Sequence, residues 1–235
     1  MAASNSDYRH IASVKYGASV QTFVNSYNTK PQSEKNGKFW DGKEDALTET
    51  KKEIKNHYLA VQDYTCAYCK QRVVVEHNGA WDTDHIIDKD GYPQFLFEPE
   101  NLCLSCKDCN TIKSKKQVLK NKRRVTFPNK PGDYIFCHPH FHKYSEHVRI
   151  IKDGALYFPI TKEGQSLIEI CGLLRFSLAF AKYDYADSDI ASEVIRLATE
   201  LQNAQTASQR LALKQIMKTM LDESLRADAL RALGR

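Results

Sequence analysis

The sequence predicts an α+β fold, and three observations carry that prediction. They are two separated Cys-x-x-Cys pairs, β-branched runs broken by turn residues, and a helical periodicity that runs from Thr161 to the end. With 235 residues and 42% hydrophobic content, the chain can build one sizeable core or two smaller ones. The polar opening Met-Ala-Ala-Ser-Asn-Ser-Asp is followed by no apolar run of the secretory kind, and no segment is long enough to span a membrane, so a cytoplasmic location is expected.

The elements follow in order. Residues 1–42, rich in Ser, Asn, Lys and Tyr, read as an N-terminal arm with little core, anchored by the aromatic pair in Gly37-Lys-Phe-Trp40. Lys43 to Gln62 reads as a helix whose stripe of Leu47, Ile54, Tyr58 and Leu59 packs behind the segment that follows. The β-branched run Arg72 to His77 predicts a strand, Asn78-Gly79 a two-residue turn, and Trp81 to Ile87 the return strand. Asn101 to Ser105 predicts another short strand, and Thr111 to about Lys120 a helix with Ile112 and Leu119 on one face. Val148 to Ile151 and Ala155 to Phe158, joined by Lys152-Asp-Gly154, predict a second hairpin. The run Leu167 to Phe180 is apolar almost all round and predicts a buried helix, and Ile190 to Leu201, Ala207 to Leu221 and Leu225 to Leu233 predict amphipathic ones. The expected divisions are an arm (1–42), a core with its leading helix (43–125), a His-rich hairpin segment (126–160) and a helical domain (161–235).

Cys66-Ala-Tyr-Cys69 and Cys106-Lys-Asp-Cys109 are two short bites, each able to point two thiolates at one tetrahedral ion. Four such ligands make a closed, structural zinc site clamping the insert between them. Disulfides are the competing reading, disfavoured without a secretory signal. Cys103, Cys137 and Cys171 read as small core residues, although Cys103 lies close enough to Cys106 to compete for the ion.

Between the pairs stand Asp84-His85-Ile86-Ile87 and Asn101-Leu102, and after Cys106-x-x-Cys109 come Asn110 and Lys113. This stretch, from Tyr64 to about Leu119, resembles the HNH endonuclease core, the ββα-metal fold in its zinc-knuckle version. The resemblance implies His85 as general base, Asp84 and Asn110 as ligands of a catalytic divalent ion, and Asn101 as the residue orienting the histidine and its loop. Some members of the family carry a further histidine one helical turn after the position of Asn110, where this chain has Ser114. The chemistry agrees: a histidine is neutral often enough at pH 7 to take a proton from water, and a carboxylate with an amide oxygen suits Mg²⁺ or Mn²⁺ better than zinc. In general layout the chain also resembles small bacterial HNH nucleases that accompany an ATPase in phage-defence operons, as in Septu-type systems. That implies an antiviral role and an ATPase partner.

The formal net charge of +5 is modest, but Lys113, Lys115, Lys116, Lys120, Lys122, Arg123 and Arg124 fall in a short run without acids, beginning beside Asn110. Such a run attracts the phosphates of DNA or RNA without reading sequence. His138-Pro139-His140-Phe141-His142, with His147 beyond, would line one face of an extended segment, and packing with phosphate contacts is preferred there to a third metal. Two functions remain open: a metal-dependent endonuclease, with DNA favoured over RNA, and a zinc-knuckle binding or adaptor protein that does no chemistry.

Overall fold

The computed structural model describes residues 11–75, 79–151, 156–176 and 188–232. The chain divides into two compact units, Met1–Leu173 and Leu174–Arg235. The architecture is α+β, with two small antiparallel sheets among helices.

In the first unit, α1 (Ala18–Asn28) and α2 (Asp45–Val61) pack together. Val20, Val24 and Tyr27 of α1 join Leu47, Leu96 and Phe97 in one apolar cluster, with Phe23, Phe39 and Trp40 against it. The expectation of an arm with little core therefore gives way to a helix that seals the core. Its apolar residues recur every three or four positions, but so few of them stand in so polar a composition that the stripe reads as weak. Helix α2 falls where its periodicity placed it, burying Leu47, Ile54 and Tyr58. Gln62, just past its end, accepts from Leu104 N–H (2.8 Å) and donates to Leu104 carbonyl (2.9 Å), so its amide extends the neighbouring sheet by one rung.

Strand β1 (Trp81–His85) pairs antiparallel with β2 (Leu102–Cys106), placing Asp84 opposite Cys103 and His85 opposite Leu102. The hairpin expected from Arg72 to Ile87 is absent from the described residues. Arg72 instead bridges to Thr65, and Val73 N–H donates to Tyr64 carbonyl, while residues 76–78, with Asn78 of the expected turn, lie outside the described part. The knuckle turn thus claims the hydrogen bonds that a strand at 72–75 would need, and Val74 is left exposed.

The following helix, α3, spans Lys107–Lys113 and stops at Ser114, whose φ of 46° leaves the helical region. It is shorter than the predicted helix and starts earlier. Beyond it the backbone leaves to pair Leu119 with Tyr134. The His-Pro segment is a buried turn rather than an extended face, with His142 N–H donating to His138 carbonyl. A short helix α4 (Tyr144–His147) leads into β3 (Val148–Ile151) and β4 (Leu156–Pro159), the predicted second hairpin, whose turn at 152–155 is not described.

Helix α5 (Lys162–Ile170) packs on α4 and β4, so it belongs to the first unit and not to a helical domain starting at 161. Its capping Thr161 accepts from Gly164 N–H. A Cβ at Gly164 would lie 1.9 Å from the His147 carbonyl oxygen, so only glycine permits this approach. Gly172, at φ +60°, ends the run in a left-handed turn, and the predicted continuation through 177–180 lies outside the described residues. In the second unit, α6 (Ser188–Asn203) and α7 (Ala207–Ala232) pack against each other, Arg196 pairing with Glu193 and Glu200. No described helix is long and apolar enough to cross a membrane.

Candidate active site

The knuckle comes first because it fixes both ends of the site. Cys66, Cys69, Cys106 and Cys109 bring one sulfur each to within 4.8 Å of one another, and Cys69 Sγ lies 3.9 Å from Cys106 Sγ. A tetrahedron of thiolates at the usual zinc–sulfur length of about 2.3 Å separates its sulfurs by roughly 3.8 Å, so this donor set fits zinc. Burial opposes ionisation of Cys66, but the other three thiols and Cys106 N–H donate to its sulfur and hold its pKa well down. Cys103 is excluded: its thiol lies against Tyr68 hydroxyl at 3.6 Å, on the same sheet face as its cross-strand partner Asp84.

From the knuckle, β1 delivers Asp84 and His85 to a cleft of about 640 Å³ whose walls also include Trp40, Lys51, Lys55, Asp82, Lys89, Asn110 and Lys115. His85 is 6% exposed, and its Nε2 lies 3.0 Å from Leu96 carbonyl oxygen. A carbonyl only accepts, so Nε2 carries the proton and the Nδ1 lone pair is left as the basic one. Burial drives this imidazole's pKa down to about 3, with Leu96 opposing and Lys113 and Lys89 assisting, so the ring is neutral at physiological pH. Trp40 stands edge-on to it at 4.6 Å.

Asn101 is fully buried and makes three bonds to one loop: its Oδ1 accepts from Ile87 N–H (2.7 Å), and its Nδ2 donates to the carbonyls of Phe95 (3.0 Å) and Ile87 (3.2 Å). That loop ends at Leu96, whose carbonyl orients His85.

Asp84 is 6% exposed, and burial raises its pKa, with Lys113 acting against the rise. Tyr68 hydroxyl donates to its Oδ2, and Lys113 Nζ lies 3.0 Å from Oδ2 and 3.2 Å from Oδ1. These contacts leave a lone-pair direction on Oδ1, since an ionised carboxylate offers about four. Asn110, half-buried at the middle of α3, donates through Nδ2 to Asp82 Oδ2 at 3.0 Å. Asp84 and Asn110 thus line one cleft with a carboxylate and an amide, donor types that suit Mg²⁺ or Mn²⁺, and Asp82 stands beside them.

The basic run disperses. Lys113 is 1% exposed and, besides Asp84, donates to His85 carbonyl (2.8 Å), so it faces inward rather than toward a phosphate backbone. Lys115 pairs with Asp90, Lys116 donates to Ile170 carbonyl, Lys120 lies 3.8 Å from Glu163 and Arg124 pairs with Asp133, while Lys122 and Arg123 are exposed. Lys115 alone of the run lines the cleft, where it is joined by Lys51 and Lys55, one turn apart on α2. Nothing in the sequence marks them, because a lysine pair on a helix reads as a solvated face. Asp82 was more legible, alternating with Asp84 along a strand.

The histidines form a packed cluster. His138 stacks on Phe141 (4.4 Å, 15°) and its N–H donates to His142 Nδ1, which leaves His142 Nε2 as a donor in the neutral ring and unsuited to a metal. His140 reaches Ile11 and Leu102 carbonyls at 3.0 and 2.8 Å, tying the N-terminal segment to β2.

Residues 66–116 match the family model described as HNH endonuclease. No curated protein matches the chain.

Proposed function

From an HNH endonuclease domain at residues 66–116, we propose that this chain hydrolyses phosphodiester bonds of nucleic acid in a divalent-ion-dependent reaction, DNA being favoured over RNA. The single observation carrying the reading is that Asp84, Asn110 and His85 line one cleft, with the His85 tautomer fixed so that Nδ1 is the basic atom. His85 Nδ1 takes the proton from an attacking water, and Leu96 carbonyl shares the positive charge that develops on the ring. Asp84 and Asn110 would hold the divalent ion, which when bound supplies a Lewis acid to the scissile phosphate. Lys51 and Lys55 draw the phosphate backbone into the cleft. Asn101 acts at one remove, holding the loop that orients His85.

The test incubates the chain with Mg²⁺ or Mn²⁺ and plasmid, single-stranded DNA or transfer RNA, wild type beside His85→Ala. Cleavage by the wild type alone supports the reading; equal cleavage by both, or by neither, sinks it. A specific observation favours the second reading, a zinc-knuckle adaptor without catalysis: Asp84 already has a cation, Lys113, at 3.0 Å. An adaptor would bind nucleic acid through the same lysines and be indifferent to His85→Ala. A role in anti-phage defence beside an ATPase rests on the resemblance in layout alone. Co-purification of the tagged chain with an ATPase encoded beside it supports that role, and full activity as a strict monomer counts against it.

A further inference from the structure

The alternation of β1 puts Asp82 and Asp84 on one face of the strand, opposite Ser105 and Cys103 of β2. Helix α3 packs over β1 and brings Asn110 Nδ2 to 3.0 Å from Asp82 Oδ2. The two ends of an asparagine amide are nearly the same size and differ by a half-turn of the side chain, so packing alone chooses poorly between them. A carboxylate chooses well, because an ionised carboxylate can only accept and the NH₂ end must therefore face it.

With Nδ2 held by Asp82, Oδ1 is the amide atom left to serve as a donor to an ion in the cleft that Asn110 lines. That matters because a hard divalent ion is held by an amide through oxygen, whereas the flipped amide would offer it hydrogens. We propose that Asp82 is a positioning residue of the hydrolytic site, whose carboxylate fixes the amide of Asn110 so that its oxygen faces the divalent ion. The proposal rests on the nuclease reading above and adds a residue to it. Asp84 needs no such help, since a carboxylate offers oxygen in either orientation.

The test uses the full zinc-loaded chain and three variants, Asp82→Asn, Asn110→Asp and the exchange Asp82→Asn with Asn110→Asp. An amide facing an amide can pair either way round, so Asp82→Asn removes the preference while keeping shape. Expected for Asp82→Asn is Mn²⁺ affinity, read by calorimetry or electron paramagnetic resonance, weakened roughly 10-fold or more, the size usual for loss of a group that orients a metal ligand. The turnover number falls with it, while KM for DNA, zinc content and melting temperature stay at wild-type values. The exchange restores Mn²⁺ affinity to within about 3-fold, because a carboxylate at 110 presents oxygen whichever way it turns. A structural role for Asp82, tying α3 to the strand, predicts no such rescue and a lowered melting temperature. Wild-type Mn²⁺ affinity in Asp82→Asn, or an exchange no better than the single variant, overturns the proposal and leaves the nuclease reading standing if the wild type cleaves. A wild type that neither binds Mn²⁺ nor cleaves overturns both.

Discussion

Asp84 and Lys113 form an ion pair in which neither side chain keeps appreciable contact with water, at 7% and 1% exposure. Such a pair gains little over an apolar replacement of both partners, but removing one leaves a buried charge alone. Lys113→Ala should therefore destabilise the chain by about 3–5 kcal/mol in urea denaturation at pH 7; a loss below about 1 kcal/mol would show that the pair is open to solvent. The role of Lys113 was illegible in the sequence, where it opens a basic run and reads as one more surface cation. Charge patterns do not say which member of a run turns inward, and here the neighbours that decide it, Tyr68 and Asp84, are distant in sequence. His85 and Asn101 were legible as residues, but the carbonyl of Leu96 that sets the imidazole tautomer is a backbone atom and leaves no mark in composition.

The knuckle and the β1–β2 pair depend on each other, since the register places Trp81 opposite Cys106 of the thiol cluster and Ala67 N–H donates to Leu104 carbonyl at 3.0 Å. Zinc in small thiolate sites supplies on the order of 10–16 kcal/mol of folding free energy. Stripping it with a strong chelator at neutral pH should abolish the cooperative thermal transition and raise amide exchange across β1 and β2, and an unchanged transition would remove zinc from the account. The Cys-x-x-Cys spacing made this element readable. The expected hairpin before it failed because β-propensity is local, whereas the true partner of β1 lies across a loop pinned by Asn101 and the knuckle takes the backbone groups of residues 71–73.

The His-Pro turn carries its own pH dependence: burial lowers the pKa of His142 to about 4 and pushes that of His138 down as well. Unfolded, these rings titrate near 6.5, so between about pH 6.5 and 4 the unfolded chain binds more protons and stability falls as the pH is lowered. The melting temperature of the zinc-loaded chain should drop over that window, less steeply in His142→Asn; an equal drop in that variant would assign the effect to other groups.

Across the whole molecule, every residue placed in the site, from Trp40 to Lys115, belongs to the unit Met1–Leu173. A chain ending at Leu173 should therefore keep zinc and nuclease activity within about 3-fold, a change worth less than 1 kcal/mol; loss of cleavage with zinc retained would give the helical unit a part in catalysis. The α+β class and the helical tail were readable from periodicity, whereas the share of the core supplied by Val20, Val24 and Tyr27 was not, because three apolar residues on a polar helix become a core only once Leu96 and Phe97 are folded against them. The central claim is that one ion builds the scaffold and a second, weakly held one serves His85. Its most direct test follows plasmid cleavage and bound zinc together while Mn²⁺ is removed by desalting and then restored, for wild type and His85→Ala. The account predicts that wild-type cleavage vanishes while the zinc stays bound and returns with Mn²⁺, and that His85→Ala holds the same zinc and never cleaves; cleavage that persists without free divalent ion, or in the variant, would contradict it.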